Sequence, residues 1–337
     1  MPQFPAARQW GDIMERLKRG VVIVWAFAFC SAACAQGFPV AGKSIRIVVP
    51  TPPGGTTDLQ ARLIAPKLGE ALGVPVVVDN KPGASTIIGA QEVARAAPDG
   101  YTLLYTFSVT HTQAPHLFSK ITYDPFRDFT PISQVARSGN ILVVHESVPA
   151  TNMRDLIAYA KTNPGKLNFA SFSPGSTSHL MGELLKMQAQ IDIVHVPYKG
   201  SGDAIKDLLS GRVQLMFDGP TTAISNAATG RVKLLAIAGP NRLPGAPGVS
   251  TMAEQGFPEI TVDGYLGFFG PGNLPPAILQ RLNAEIVKIV RMPDIMENLT
   301  RGGTEPTGTS AQEFAAIVRG LHESWGRVIR QLGLKLD

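Results

Sequence analysis

Twice along this 337-residue chain, short apolar runs rich in β-branched residues alternate with stretches whose apolar positions recur at helical spacing. Such alternation dictates sheets covered by helices, with strands that run mostly parallel. The first series reads as strand IRIVVP, a helix over Leu59 to Leu72, strand PVVVDN, a helix over Ile88 to Ala96, and strand YTLLYTFS. A looser stretch with proline and aromatic residues follows. Then comes ISQVARSGNILVVH, long enough to pass from one domain to another. The second series opens with helix MRDLIAYAKT and closes with strand VKLLAIAG. FPEITVDGYLGFFG makes a second extended crossing, and two or three helices end the chain, AILQRLNAEIVKIV the clearest. With no third core to cover, these helices are expected to return to the first domain. The expected architecture is α/β, two hinged lobes with a cleft: residues 40–138 with 262–337, and residues 139–261. In open α/β sheets the strand-to-helix loops at the carboxyl ends form the binding crevice.

Two of those loops share a theme. Pro52-Pro53-Gly54-Gly55-Thr56-Thr57-Asp58 joins a buried strand to a helix. It lacks the Gly-Lys-Ser/Thr of a phosphate loop and the G-x-G-x-x-G of a dinucleotide site. It is either a tight joint capped by Thr56 or Thr57, or a turn that offers backbone N–H groups to an anion. In the second series, FASFSPGSTSHLMGELL repeats the pattern, with Ser173, Ser176 and Ser178 adding hydroxyls around Gly175. Two such loops on opposed lobes describe two anion sites facing each other, as a short dicarboxylate requires. Asp218 ends strand VQLMFD, as either a cap for Gly219-Pro220 or an acceptor for a hydroxyl or ammonium. Tyr198 is placed to wall the cleft. His111, His116, His145, His179 and His195 fall one per element, without metal-ligand spacing. His179 follows Ser176 by three residues, but no orienting acid and no G-x-S-x-G string accompany it. No catalytic residue, cofactor or metal is assigned.

The start of the chain reads as a leader. Arg16, Lys18 and Arg19 precede VVIVWAFAF, and small residues follow with an Ala-x-Ala pattern at Ala33 and Ala35. Cleavage is expected after Ala35, giving a signal peptide over residues 1–35. Met14 is an alternative start, and lipid modification at Cys34 an alternative processing route. Both cysteines, Cys30 and Cys34, lie in the leader, so the mature chain has no thiol nucleophile and needs no disulfide. The net charge is +5, and part of that excess is in the leader. No basic run or aromatic-basic platform points to nucleic acid.

Six strings resemble one family in order: IRIVVPTPPGGTTDLQAR, VVVDNKPGASTIIGA, APDGYTLL, NFASFSPGSTSHLMGELL, VHVPYKGSGDAIKDLLSGRVQLMFD and LLAIAG. The family is the extracytoplasmic solute receptors of tripartite tricarboxylate transport systems, the Bug proteins. The resemblance implies a type II periplasmic-binding fold and capture of a small carboxylated solute for a membrane transporter. It implies no enzyme activity and a periplasmic location, and a monomer is expected. It places the first carboxylate at Thr51 to Asp58, with Gly54, Gly55 and Thr57 central and Pro53 and Thr56 between. It also implies roles for Ala84 nearby, for Thr106 and Ser108 at the other end of the ligand, and for Gly175, Ser176 and Ser178 on the second lobe. Relatives often carry Tyr or Phe where this chain has Thr51, and a bulkier apolar residue after Asp218; both changes imply a roomier or more polar cleft. Neither names the solute. A membrane sensor is an alternative recipient, and a secreted α/β enzyme acting on carboxylic acids is the alternative activity.

Overall fold

A computed structural model describes residues 37–261 and 264–336. The leader with its cleavage site after Ala35, and Cys34, lie outside the described residues. The fold belongs to the unit Ala41–Asp337.

The first series forms β1 (Ile45–Val49), α1 (Thr56–Leu72), β2 (Val76–Asn80), α2 (Ile87–Ala94) and β3 (Thr102–Phe107). The looser stretch folds into two single turns, α3 (Val109–Thr112) and α4 (Ala114–Leu117). β4 (Phe129–Ser138) and β5 (Asn140–His145) carry the chain across. The second series forms α5 (Met153–Thr162), β6 (Leu167–Ser171), α6 (Thr177–Ala189), β7 (Ile193–Pro197) and α7 (Ser201–Leu209). It ends with β8 (Leu215–Asp218), α8 (Pro220–Ala227) and β9 (Val232–Ala238). β10 (Gly264–Pro271), α9 (Pro276–Val290), α10 (Pro293–Arg301), β11 (Glu305–Pro306) and α11 (Ala311–Leu332) complete the chain.

These strands make a six-stranded sheet, β11-β4-β10-β3-β1-β2, and a five-stranded sheet, β7-β6-β8-β5-β9. β1 runs parallel to β2 and β3, and β6 parallel to β7 and β8. The expectation of mostly parallel sheets is corrected at the strands that arrive from the other sheet. β10 is antiparallel to β3 and β4, and β5 to β8 and β9. The cause is geometric. Strands that feed helices run toward the cleft, whereas a chain entering at the cleft must run away from it.

Gly139 joins β4 to β5 at this crossing. A Cβ there would lie 2.9 Å from the Ala238 carbonyl oxygen and 3.0 Å from Gly239 Cα. The two passing backbones leave no room for a side chain.

One apolar cluster, with Leu104, Tyr265, Phe269 and Phe314, lies in the first lobe. Two others, around Phe169 and Leu184 and around Leu208 and Met216, cover opposite faces of the second sheet. α11 starts from a capping box, with the Ser310 hydroxyl accepting from the Glu313 N–H. Phe314 and Val318 pack into the first-lobe core, whereas Trp325 and Ile329 pack into the second-lobe cluster. The expected return of the terminal helices to the first lobe is thus corrected for the far half of α11. Its 22 residues span about 33 Å at about 1.5 Å per residue, enough to reach across both lobes.

Candidate functional site

β1 delivers Pro50 to Gly55 to the space between the sheets. Gly54 takes φ +89°, which only glycine adopts freely, and Gly55 then turns extended as the N-cap of α1. No side chain caps this helix. Its first intrahelical bond runs from the Leu59 N–H to the Gly55 carbonyl, 3.0 Å. The N–H groups of Thr56, Thr57 and Asp58 therefore have no intrahelical acceptor.

Asp58 holds the loop together. Its carboxylate accepts from the Gly54 N–H at 2.9 Å, from Arg62 Nε at 3.0 Å and from Asn80 Nδ2 at 2.9 Å. Asn80 Nδ2 also donates to the Thr51 carbonyl at 3.0 Å. Burial works to raise the Asp58 carboxyl, but the Gly54 N–H and the Arg62 and Asn80 side chains outweigh it and hold it below the usual range.

A cavity of about 690 Å³ lies between the two sheets' loop ends. Among the residues singled out from the sequence, Thr51, Pro53, Gly55, Thr56 and Thr57 line it from the first loop. Ala84, Ser108, Ser173, Tyr198 and Asp218 also line it. Two of these carry unused polar atoms: the hydroxyl oxygens of Thr51 and Thr56 are buried and have no partner. Buried polar groups are almost always paired, so an orphan on a cavity wall marks a place for a ligand atom or a water.

The other six do not reach the wall, and each has a physical reason. Gly54 is turned outward by its φ, and Asp58 is occupied within the loop. Thr106 is fully buried, its hydroxyl 2.7 Å from that of Thr110, which donates to Thr86 at 2.9 Å. The Gly175 N–H donates to His179 Nδ1 at 3.0 Å. The Ser176 hydroxyl donates to the Ser173 carbonyl at 2.7 Å and caps α6. The Ser178 hydroxyl donates to the Ala170 carbonyl at 3.2 Å. A Cβ at Gly175 would meet Leu117 and Leu336, each 2.8 Å away, so the α4 turn and the chain's end cover this loop. The donors expected to face an anion at Gly175, Ser176 and Ser178 are thus engaged within the second lobe.

Asp218 is 1% exposed and accepts from the Ser201 hydroxyl at 2.7 Å and the Thr222 hydroxyl at 2.6 Å. Burial raises its carboxyl above the ordinary value, partly offset by those hydroxyls and the Gly219 N–H. It both ties α7 to α8 and lines the cavity. His179 stacks on His195 with centroids 3.9 Å apart, and His195 Nε2 lies 2.7 Å from the Ser171 hydroxyl. Burial, with the nearby His179 and Lys186, lowers His195 to about 3. Both rings are thus structural. Among the described residues, no group of three His, Cys, Asp or Glu side chains is placed to hold a metal.

Sequence reasoning missed Phe107 and Phe172, both on the wall, and set Ser85 only among the neighbours of Ala84 in KPGAS. Ala84, Ser85 and Thr86 take φ of 44°, 51° and 78°, a left-handed run that nothing in KPGAST announces. It aims Ser85 across the cleft, where its hydroxyl donates to the Pro174 carbonyl. Phe107 ends β3 and Phe172 follows β6, so the carboxyl-end rule alone marks both. Further links join the two sides: Gln113 Nε2 donates to the Thr177 hydroxyl at 2.9 Å, and the Thr221 hydroxyl to the Gly302 carbonyl at 2.9 Å. The lobes are closed on each other.

Residues 60–334 match the pattern of the tripartite tricarboxylate transporter family receptor, TctC. The chain is 36% identical, over 96% of each sequence, to a UPF0065 protein from the tcbD–tcbE intergenic region of Pseudomonas sp. strain P51. It is 33% identical to the protein BugT of Bordetella pertussis, over 96% of this chain and 99% of BugT. An R. palustris protein solved with adipate superposes with a TM-score of 0.84 at 34% identity, covering 88% of this chain and 99% of that one. MatC of Rhodopseudomonas palustris, with bound malate, superposes with a TM-score of 0.81 at 32% identity, covering 86% and 100%.

Proposed function

This chain belongs to the tripartite tricarboxylate transporter receptor family, and from that premise we propose that it captures a small carboxylated solute in the periplasm and delivers it to a membrane transporter. The family is one of receptors, so turnover of the solute is no part of the function. The observation that carries the proposal is the pair of buried, unpartnered hydroxyls on Thr51 and Thr56, beside the open first turn of α1. A carboxylate there accepts from both hydroxyls and from the Thr57 N–H. It sits at the positive end of a 17-residue helix. Such donors hold an anion without the cost of burying a cation.

We assign the carboxylate end to Thr51, Gly55, Thr56 and Thr57, with Ala84 and Ser85 beside it. Ser108, Ser173, Tyr198 and Asp218 belong to the remaining walls. The lobes correspond to residues 40–138 with 262–337 and to residues 139–261, and the protein acts as a monomer.

The test is a thermal-shift screen of the mature protein against carboxylic acids and their neutral amides. A true ligand raises the melting temperature with concentration, because it binds only the native state. Stabilisation by amides alone defeats the proposal. Recovery of the protein from the periplasm with its N-terminus at Gln36 supports the location; retention of the leader in the cytoplasm counts against it. A membrane sensor as recipient leaves the cleft unchanged, so uptake by vesicles carrying the transporter, with and without the receptor, separates the two.

A further inference from the structure

We infer that the solute carries a single carboxylate on an aromatic body, and that Phe107 and Phe172 are the residues that select it. This rests on the carboxylate-receptor reading above and narrows it to one chemical class.

Charge limits the solute first. The Gly175 N–H and the Ser176 and Ser178 hydroxyls are spent internally, and Gly175 is covered by Leu117 and Leu336. A second carboxylate there would find neither serine hydroxyl free to donate and no open space beside Gly175. Elsewhere on the second-lobe wall stands Asp218, a buried carboxylate whose partners are hydroxyls and a backbone N–H, with no cation among them. A second carboxylate beside it would be a like charge in a poorly solvated place. The cation on the described wall, Lys199, is exposed. The walls therefore suit one negative charge at the Thr51 and Thr56 end and none at the other.

Shape and surface limit it next. Phe107 and Phe172 come from opposite sheets and meet edge to face, with centroids 5.9 Å apart. Phe118, Leu266, Pro52 and Pro174 add further apolar lining to the cavity. Aromatic rings favour offset or edge-on neighbours, so a planar ligand ring gains a third member's contacts with the pair. The cavity of about 690 Å³ falls inside the range of roughly 300–1,000 Å³ for sites that enclose drug-sized ligands. An aliphatic diacid would leave the ring wall facing its charged or hydrated groups.

Calorimetry on the mature protein decides the matter. The probes are benzoate, phenylacetate and 4-hydroxybenzoate, against adipate, malate and benzamide. At least one aromatic monoacid is expected to bind tenfold or more tightly than adipate and malate, and benzamide not at all. Phe107→Ala and Phe172→Ala are each expected to weaken that acid tenfold or more, and Phe172→Leu less. Circular dichroism and melting curves show whether each variant is folded; the wild-type panel stands even if one is not. Tighter binding of adipate or malate than of every aromatic monoacid overturns the inference while leaving the receptor reading intact. Binding of benzamide and of no acid overturns both. Unchanged affinity in folded Phe107→Ala and Phe172→Ala protein removes the two rings from the account.

Discussion

Ser176 spends its hydroxyl on the helix it begins, whereas Thr51 and Thr56 leave theirs free. The difference predicts opposite phenotypes. Ser176→Ala should cost about 1 kcal/mol of stability, as loss of an N-cap does, and spare ligand affinity; urea titration and calorimetry check the two halves. Thr51→Val and Thr56→Val should each cost about 1.5–3 kcal/mol of binding, the usual value of a hydrogen bond to a charged group. Neither should lower the melting temperature of the unliganded protein. A folded but unliganded protein that melts much earlier would mean the hydroxyls serve the fold. Gly54 and Gly55 also divide. Valine at Gly54 meets a φ of +89° and is strained, whereas Gly55 at φ −82° accepts a β-branched residue in its backbone. Gly55→Val should fold and lose ligand, because its side chain enters the cleft. At this scale the glycine turn was legible from the sequence, and so was the place of Thr51 on the cavity wall. The left-handed Ala84-Ser85-Thr86 run was not, because local propensity argues against it and only the surrounding packing imposes it.

Secondary elements were legible where periodicity was strong. α1 was expected from Leu59 to Leu72 and forms from Thr56, its extra turn supplied by residues that carry no apolar signal. Strand direction was not legible, since the alternation of strands and helices does not say which strands arrive from the other sheet. Nor did the spacing of His179 and His195 reveal that α6 and β7 stack their rings. Burial of histidine has a pH consequence. His111 and His195 are each lowered to about 3, chiefly by burial, from an unfolded value near 6.5. The unfolded chain thus takes up protons first as pH falls. Stability is full above about pH 6.5 and declines from there toward pH 3. At pH 5.5 the loss is at most about 1.4 kcal/mol for His111, and less for the partly exposed His195. Urea midpoints at pH 7.5 and 5.5 should show the drop, and His195→Gln should reduce it. An unchanged slope in that variant would remove His195 from the effect.

For the whole molecule, the two-sheet plan was readable from two alternating series joined by extended runs, but the path of α11 was not. Its apolar stripe names a buried face without saying which core receives it. Trp325 is 4% exposed within the second-lobe cluster although α11 begins against the first. Trp325→Ala should cost about 3–5 kcal/mol, as large core truncations do, and denaturation should register it as a lower midpoint. Small-angle scattering should show a smaller radius with ligand than without, and unliganded Trp325→Ala, which loses the seat of α11 in the second-lobe cluster, should be no more compact than the unliganded parent. The path of α11 bears on partners as well. A single rod seated in both bodies ties them together: to part, they must bend it or unseat one of its ends. Whatever opens the mouth for a partner has to work against that tie.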